Sequence, residues 1–190
     1  MVYKLGVFLS RPLLHIYNKI NVYNLPQPFP EGRLVISGNH TCWIDPFWIS
    51  SVVPRQVRYL AKEELFKNPI LKSLFMGAGA YPVKRGAPDR KAIKFMLDTL
   101  NNDNIVGIFP EGTRNKDGVG EAHNGAAYIA LKTGSPILPV TINIREHKFR
   151  SEVDLTFHDV IKVEADKRVS KEKLNDLTQK IMKVIASGLN

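Results

Sequence analysis

The feature that most constrains the fold is an alternation of short apolar runs with longer stretches of helical character. The apolar runs are rich in Val and Ile and lie at 33–37, 57–60, 80–84, 105–109 and 137–142. Runs of this length and composition are typical of strands buried on both faces of a sheet. The stretches between them, 46–52, 69–76, 89–101 and 121–133, are predicted to be helices. This succession predicts a single-domain α/β fold with a mostly parallel or mixed sheet covered by helices.

Two helices have the clearest patterns. In the stretch 89–101, apolar residues recur every three or four positions, namely Ile93, Met96, Leu97 and Leu100. Near the end of the chain, Ser170 is placed to cap a helix whose buried stripe is Leu174, Leu177, Ile181 and Val184. Residues 153–163 alternate well enough to predict a late strand or hairpin between the two.

The first 20 residues differ from the rest. Apolar side chains crowd one broad side of a predicted helix that is interrupted at Pro12, and its only charges are positive. Such a helix either packs on the domain or lies in a membrane interface. The second interpretation makes residues 1–30, with three prolines after residue 20, an N-terminal amphipathic membrane-association segment and linker. Residues 31–190 are then the domain that holds the predicted sheet.

Charge indicates an anionic partner. The formal net charge is +9, and the stretch 52–95 alone holds ten basic residues against three acidic ones. Nucleic acid, lipid headgroups and a phosphorylated substrate all fit such an excess.

The longest run without a charged residue, 133–144, is too short to span a bilayer. One cysteine excludes a disulfide framework and a thiolate-rich zinc site. These features favour a protein at the cytoplasmic face of a membrane.

A histidine and an aspartate follow the first predicted strand at a useful spacing. His40 precedes Asp45 by five residues, and a turn between them would let the carboxylate orient the imidazole as a general base. The alternative is structural: Asp45 before Pro46 is also a common helix start.

A second polar segment follows the strand 105–109. It holds Glu111, Gly112, Thr113 and Arg114. Ligands of α/β sheets bind outside the carboxyl ends of the strands, so this segment and His40 are expected to face one crevice. Arg114 suits a phosphate because its planar fork donates two parallel hydrogen bonds. Arg85, at the end of the strand 80–84, is predicted to add a further contact. A plain surface turn is the alternative for 111–113.

These residues, in this order and spacing, resemble the blocks of the glycerolipid acyltransferase family. The blocks are His40-x4-Asp45, then Arg85, then the segment 109–114, then 137–140. The resemblance covers 34–142 and is greatest to the bacterial 1-acyl-glycerol-3-phosphate acyltransferases. The sequence departs from the family at Cys42, where many relatives have Ser, and at His123, where many have Lys.

The resemblance implies a reaction and a set of roles. A fatty acyl group passes from a thioester of acyl carrier protein or coenzyme A to the free sn-2 hydroxyl of lysophosphatidic acid, giving phosphatidic acid in phospholipid biosynthesis. His40 and Asp45 are implied to be catalytic. Arg85, Glu111, Gly112, Thr113 and Arg114 are implied to bind the acceptor phosphate. No metal or other cofactor is expected, and the expected partners include an anionic membrane surface but no nucleic acid.

Alternatives remain open at this point. Glycerol 3-phosphate or another lysophospholipid presents a similar acceptor. A thioesterase or hydrolase would use Cys42 as its nucleophile, although Cys42 lies only two positions from His40, a poor spacing for a direct hydrogen bond. A non-catalytic module would bind anionic lipid or nucleic acid through the basic stretch, although the aromatic residues there stand in apolar context.

Overall fold

The computed structural model describes residues 12, 14–84, 89–114, 120–145 and 149–189. Seven strands form one sheet in the order β1-β7-β6-β2-β5-β3-β4. They are β1 (Lys19–Tyr23), β2 (Leu34–Gly38), β3 (Val57–Lys62), β4 (Ala80–Val83), β5 (Ile105–Ile108), β6 (Ile137–Ile144) and β7 (Glu152–Phe157). The strands β2 to β6 run parallel, while β7 is antiparallel to β6 and parallel to β1. The predicted α/β fold with a mostly parallel sheet is therefore confirmed.

Helices connect and cover the strands. They are α1 (Asp45–Val52), α2 (Pro69–Gly77), α3 (Arg90–Asn101), α4 (Gly125–Thr133) and α5 (Lys171–Ala186), with a 3₁₀ turn at Glu63–Phe66 before α2. Two begin at side-chain caps: the carboxylate of Asp89 accepts from the first turn of α3, and the hydroxyl of Ser170 accepts from Lys173 N–H. These caps satisfy backbone donors that have no partner inside the helix.

The core lies on both faces of the sheet because alternate residues of a strand point to opposite faces. On one face, Leu34 and Ile36 of β2 pack with Trp48 and Ile49 of α1. On the other, Val35 belongs to a cluster formed with α3, α4 and α5 that includes Leu100, Ile129, Ile181 and Ile185. The stripe predicted for the last helix faces this second cluster. With both faces covered, the polar groups that follow β2 and β5 lie at the edge of the sheet.

That edge is called the carboxyl edge here, because the parallel strands β2 to β6 all end at it. Neighbouring strands β2 and β5 pair directly, with Ser37 opposite Ile108. The loops that follow them therefore start about 5 Å apart, one strand spacing.

Two sequence predictions need correction. Residues 21–23 are not linker but part of β1, where Asn21 Nδ2 donates to Asp154 Oδ1 at 2.7 Å and the backbone pairs with β7. The helix predicted from residue 121 begins at Gly125. The late strand predicted within 153–163 is confirmed as β7, and a single bridge between Ile161 and Ile137 follows it.

The structure describes only part of the predicted N-terminal amphipathic helix. Residues 1–11 and 13 lie outside the described residues, and so does most of the predicted amphipathic helix. None of the helices in the described part of the chain is long and apolar enough to cross a membrane.

Candidate active site

His40 and Asp45 lie side by side at the carboxyl edge. His40 Nδ1 is 2.8 Å from Asp45 Oδ2, and both side chains are buried. A carboxylate can only accept, so Nδ1 carries the shared proton, and in the neutral imidazole Nε2 keeps its lone pair. The loop after β2 thus makes the turn that a base and its orienting carboxylate require.

Asp45 is held by the backbone that separates it from His40. Its Oδ2 accepts from the N–H of Thr41 at 2.7 Å and from the N–H of Cys42 at 2.9 Å, and Oδ1 accepts from Thr41 Oγ1 at 3.2 Å. The carboxylate therefore closes a ring with the preceding loop. The alternative role as helix cap is wrong, because Ile44 is the cap residue of α1 and has no side-chain cap hydrogen bond.

Aromatic rings support His40 from the side of β5 and β3. The ring of Phe109 stacks on the His40 imidazole at a centroid distance of 4.4 Å, and Tyr59 stacks on Phe109 at 5.9 Å. The Tyr59 ring occupies the space above Gly107, where an added Cβ would come within 2.0 Å of a ring carbon. Gly107 is therefore required for this stack, which holds the imidazole plane.

Asn39 fixes the start of the catalytic loop. Its side-chain amide donates to the Ile142 carbonyl at 2.9 Å, and its Oδ1 accepts from the Ile142 N–H at 2.7 Å. This pair ties the residue before His40 to β6. Sequence reasoning missed Asn39, Tyr59 and Gly107, and only the position of Asn39 next to His40 was a signal.

Glu111 lies near the catalytic pair, with its side chain buried. It is 3% exposed, and neither carboxylate oxygen has a hydrogen-bond partner among the described residues. Burial raises its pKa, although nearby backbone N–H groups of His40 and Gly120 act in the opposite direction. Glu111 thus lies beside the catalytic pair as a buried carboxylate.

The rest of the turn is more open. Gly112 has φ +64°, a conformation that favours glycine, and Thr113 and Arg114 are exposed. The His123 ring lies against Gly112, and its backbone N–H donates to the Pro110 carbonyl at 2.8 Å. His123 is therefore a neighbour of the predicted phosphate site.

The remaining residues of interest have different placements. Arg85 lies outside the described residues, so its predicted contact stays a prediction. Cys42 is partly buried and packs against the core cluster on the α1 face, as a small apolar residue would.

Comparison with known proteins identifies the family to which this site belongs. A family model described as "Acyltransferase" matches residues 16–143, a stretch that contains His40, Asp45 and the 111–114 turn. The chain belongs to the acyltransferase family. This confirms the resemblance drawn from the motifs, and it makes the chain an O-acyltransferase by class.

Relatives of this acyltransferase carry specific names. The 1-acyl-sn-glycerol-3-phosphate acyltransferase of Bacillus subtilis is 32% identical over 139 residues, 73% of this chain and 69% of its own length. The protein of the same name from Streptococcus pneumoniae is 29% identical over 160 residues, which are 81% of this chain and 60% of that protein. The chain therefore spans less than two thirds of the pneumococcal relative.

A solved structure shares the fold of this acyltransferase. The crystal structure of the 1-acyl-sn-glycerophosphate acyltransferase of Thermotoga maritima matches with a TM-score of 0.72 and 24% identity. The match covers 96% of this chain and 76% of that one. The fold of this chain is thus one already seen in an acyltransferase.

Proposed function

We propose that the chain transfers a fatty acyl group from a thioester to the sn-2 hydroxyl of 1-acyl-glycerol 3-phosphate, forming phosphatidic acid for phospholipid biosynthesis. The observation that carries the proposal is the buried His40–Asp45 pair, with Nε2 free, in a chain 32% identical to the enzyme of that name from Bacillus subtilis.

In the proposed reaction, His40 acts as a general base. Its Nε2 takes the hydroxyl proton of the acceptor as the hydroxyl oxygen attacks the thioester carbonyl. Asp45 stabilises the imidazolium that forms. Collapse of the tetrahedral intermediate breaks the carbon–sulfur bond, and the leaving thiolate takes the proton back from His40. The products are the new ester and a free thiol, and His40 returns to its starting state.

The tetrahedral oxyanion needs a donor that is not already in use. The N–H groups of Thr41 and Cys42 both donate to Asp45, and that of Gly112 donates to the Phe109 carbonyl at 3.0 Å. Those three groups are occupied, and we propose the backbone N–H of Thr113, in the 111–114 turn, as the oxyanion donor.

The acceptor phosphate is proposed to lie over the 111–114 turn. Arg114 is exposed there and can turn its guanidinium fork toward a phosphate. Gly112 lets the backbone approach closely, and the Thr113 hydroxyl, which donates to the Glu111 carbonyl at 3.5 Å, is proposed to turn to the phosphate. Glu111 is proposed to meet the glycerol side of the acceptor, because its buried carboxylate would repel the phosphate itself. Arg85 is proposed to provide a second cation.

The acyl donor is proposed to be acyl carrier protein or coenzyme A thioester, with no metal or further cofactor. The described residues contain no group of three or more His, Cys, Asp or Glu side chains that could hold a metal ion. A peripheral location at the cytoplasmic membrane face, with residues 1–30 as the association segment, fits the net charge of +9.

One assay tests the reaction. Purified protein is given lysophosphatidic acid or glycerol 3-phosphate with each acyl thioester, and acylated product is followed for the wild type and His40→Ala. We expect phosphatidic acid from the wild type and a loss of at least about a hundredfold in the variant. Product from glycerol 3-phosphate alone would move the assignment to the first acylation step, and product from neither acceptor would refute the proposal.

A further inference from the structure

The exposed apolar side chains of the described residues are concentrated at the carboxyl edge. Ten large apolar side chains are exposed in the part of the chain that the structure describes. Seven of them belong to segments that begin or end at this edge: Ile16, Tyr17, Trp43, Leu65, Ile70, Leu71 and Phe149. The other three, Val22, Tyr23 and Met76, lie toward the opposite edge. Scattered single apolar residues are ordinary on a protein surface, but a concentration at one edge is not.

One group of these exposed residues, Trp43, Leu65, Ile70 and Leu71, lies on the β3 side of the site. Trp43 is 65% exposed and lies in the loop between His40 and Asp45. Leu65 is in the 3₁₀ turn that follows β3, and Ile70, 78% exposed, is in the first turn of α2. Only β5 separates β2 from β3, so these segments leave the sheet about 10 Å apart, two strand spacings.

The second group lies on the other flank. Tyr17 precedes β1, and Phe149 precedes β7. Because β7 is antiparallel to β6, and β1 is parallel to β7, both strands start at the carboxyl edge. The two rings meet edge to face at a centroid distance of 5.9 Å, and the N–H of Arg150 donates to the Tyr17 carbonyl at 2.7 Å. His40, which follows the central strand β2, therefore lies between two exposed apolar groups.

Basic residues accompany these apolar groups. The exposed cations at strand ends and loops of this edge are Lys19, Lys62, Lys67, Lys84, Arg114, Arg145 and Arg150, against the acidic residues Glu63, Glu64, Glu121 and Glu152. Four of these cations, Lys19, Lys62, Lys84 and Arg145, form ion pairs with three of the acidic residues, so the positive excess rests on Lys67, Arg114 and Arg150. Lysine and arginine side chains can reach headgroups while neighbouring apolar groups enter the acyl region. Each cation near an anionic leaflet adds about 1 kcal/mol of attraction.

We infer that the carboxyl edge is a membrane-docking surface. Ile70 and Leu71 would enter an anionic bilayer on one side of the active site, and Tyr17 and Phe149 would enter it on the other. Trp43, an aromatic residue of the kind found at membrane interfaces, would lie at the mouth of the site. An acceptor lipid would then reach His40 from the bilayer without leaving it. The inference rests on the proposed function only for the identity of that lipid, because none of the apolar docking residues takes part in the proposed reaction.

Binding to vesicles tests the surface directly. The full chain is sedimented with vesicles of phosphatidylcholine that contain phosphatidylglycerol. One variant combines Ile70→Ser with Leu71→Ser, and a second carries Phe149→Ser. The controls are Met76→Ser, which is on the same helix, and Tyr23→Ser, each exposed to a similar degree at the opposite edge. We expect the double variant to bind about tenfold more weakly and Phe149→Ser several-fold more weakly, with the controls within about twofold of the wild type.

Two further measurements separate the outcomes. Circular dichroism confirms that all four variants are folded, and acyl transfer to a detergent-dispersed acceptor should be unchanged in each. Edge variants that bind vesicles like the wild type, or controls that lose as much, would overturn the docking surface. Loss of acyl carrier protein binding with vesicle binding intact would overturn it in favour of an acidic protein partner. A wild type that binds vesicles but makes no product in detergent would refute only the proposed reaction.

Discussion

His40 Nδ1 lies 2.8 Å from Asp45 Oδ2, and this oxygen also accepts the backbone N–H groups of Thr41 and Cys42. One buried carboxylate oxygen therefore orients the catalytic imidazole and shapes the loop that carries it. In the proposed reaction, the negative charge of Asp45 stabilises the imidazolium, while its hydrogen bonds hold the loop. Substitution can separate these two roles.

Asp45→Asn tests the charge with little change in shape. The amide oxygen can take the place of Oδ2, and the amide nitrogen can face Thr41 Oγ1, so we expect the loop to persist. Without the negative charge the imidazolium is not stabilised, and kcat should fall by about 10²- to 10⁴-fold with little change in KM. Steady-state kinetics measure this. Thr41→Val, which removes only the 3.2 Å bond to Oδ1, is the control, and a comparable loss there would show that geometry and not charge is decisive.

Cys42→Ala tests direct transfer against a covalent mechanism. The Cys42 side chain packs against the core, so we expect a small loss of stability and nearly normal acyl transfer. Single-turnover assays with a radiolabelled thioester check for a protein-bound acyl group. Activity as low as that of His40→Ala, or an acyl-enzyme that disappears in the variant, would support a cysteine nucleophile.

Gly107→Ala tests the ring stack that supports His40. The new Cβ would come within 2.0 Å of the Tyr59 ring, so that ring must move and its contact with Phe109 must change. Overpacking of this kind typically costs about 1–3 kcal/mol, and we expect a lower free energy of unfolding together with a lower kcat. Urea unfolding and kinetics measure both. Gly125→Ala is the matched control, because its Cβ would meet no atom within 4 Å.

The pH dependence of stability in Glu111→Gln tests whether the Glu111 carboxylate is desolvated in the folded protein. Burial raises the pKa of Glu111 in the folded protein, so below the ordinary glutamate pKa the side chain is neutral in both states. As pH rises toward the folded pKa, the unfolded chain loses its proton first and stability falls. We expect Glu111→Gln to be more stable than the wild type at neutral pH, with the difference vanishing in acid. Thermal unfolding across this pH range measures the effect.

Glu152→Gln is the control of opposite sign. The hydrogen bond from Lys19 and the charges of Arg145 and Lys19 lower the pKa of Glu152, so its stabilising effect is present above the ordinary pKa and is lost as pH falls. This variant should be less stable at neutral pH, again with the difference vanishing in acid. If both variants show the same sign, the carboxylate of Glu111 is not desolvated as the structure indicates.

Much of the fold follows from local patterns. The buried strands around 34–38 and 105–108 have continuous apolar sequences, and α3 has both its apolar stripe and the Asp89 cap. Prediction was wrong for β1, because its residues Lys19–Tyr23 are only partly buried and their pairing with β7 depends on residues more than 130 positions away. No local period encodes such a contact.

The sequence by itself determined the α/β fold, the acyltransferase family and the spacing of His40 and Asp45, because these depend on short-range pattern and motif. Tertiary structure decided which nitrogen of His40 is free, since that depends on Asp45 and on the two amides that hold it. It also decided that Glu111 is buried beside His40 and that Phe109, Tyr59 and Gly107 support the imidazole. Strand order brings these residues together from distant positions, and the same order gathers the exposed apolar side chains at the edge where the site lies.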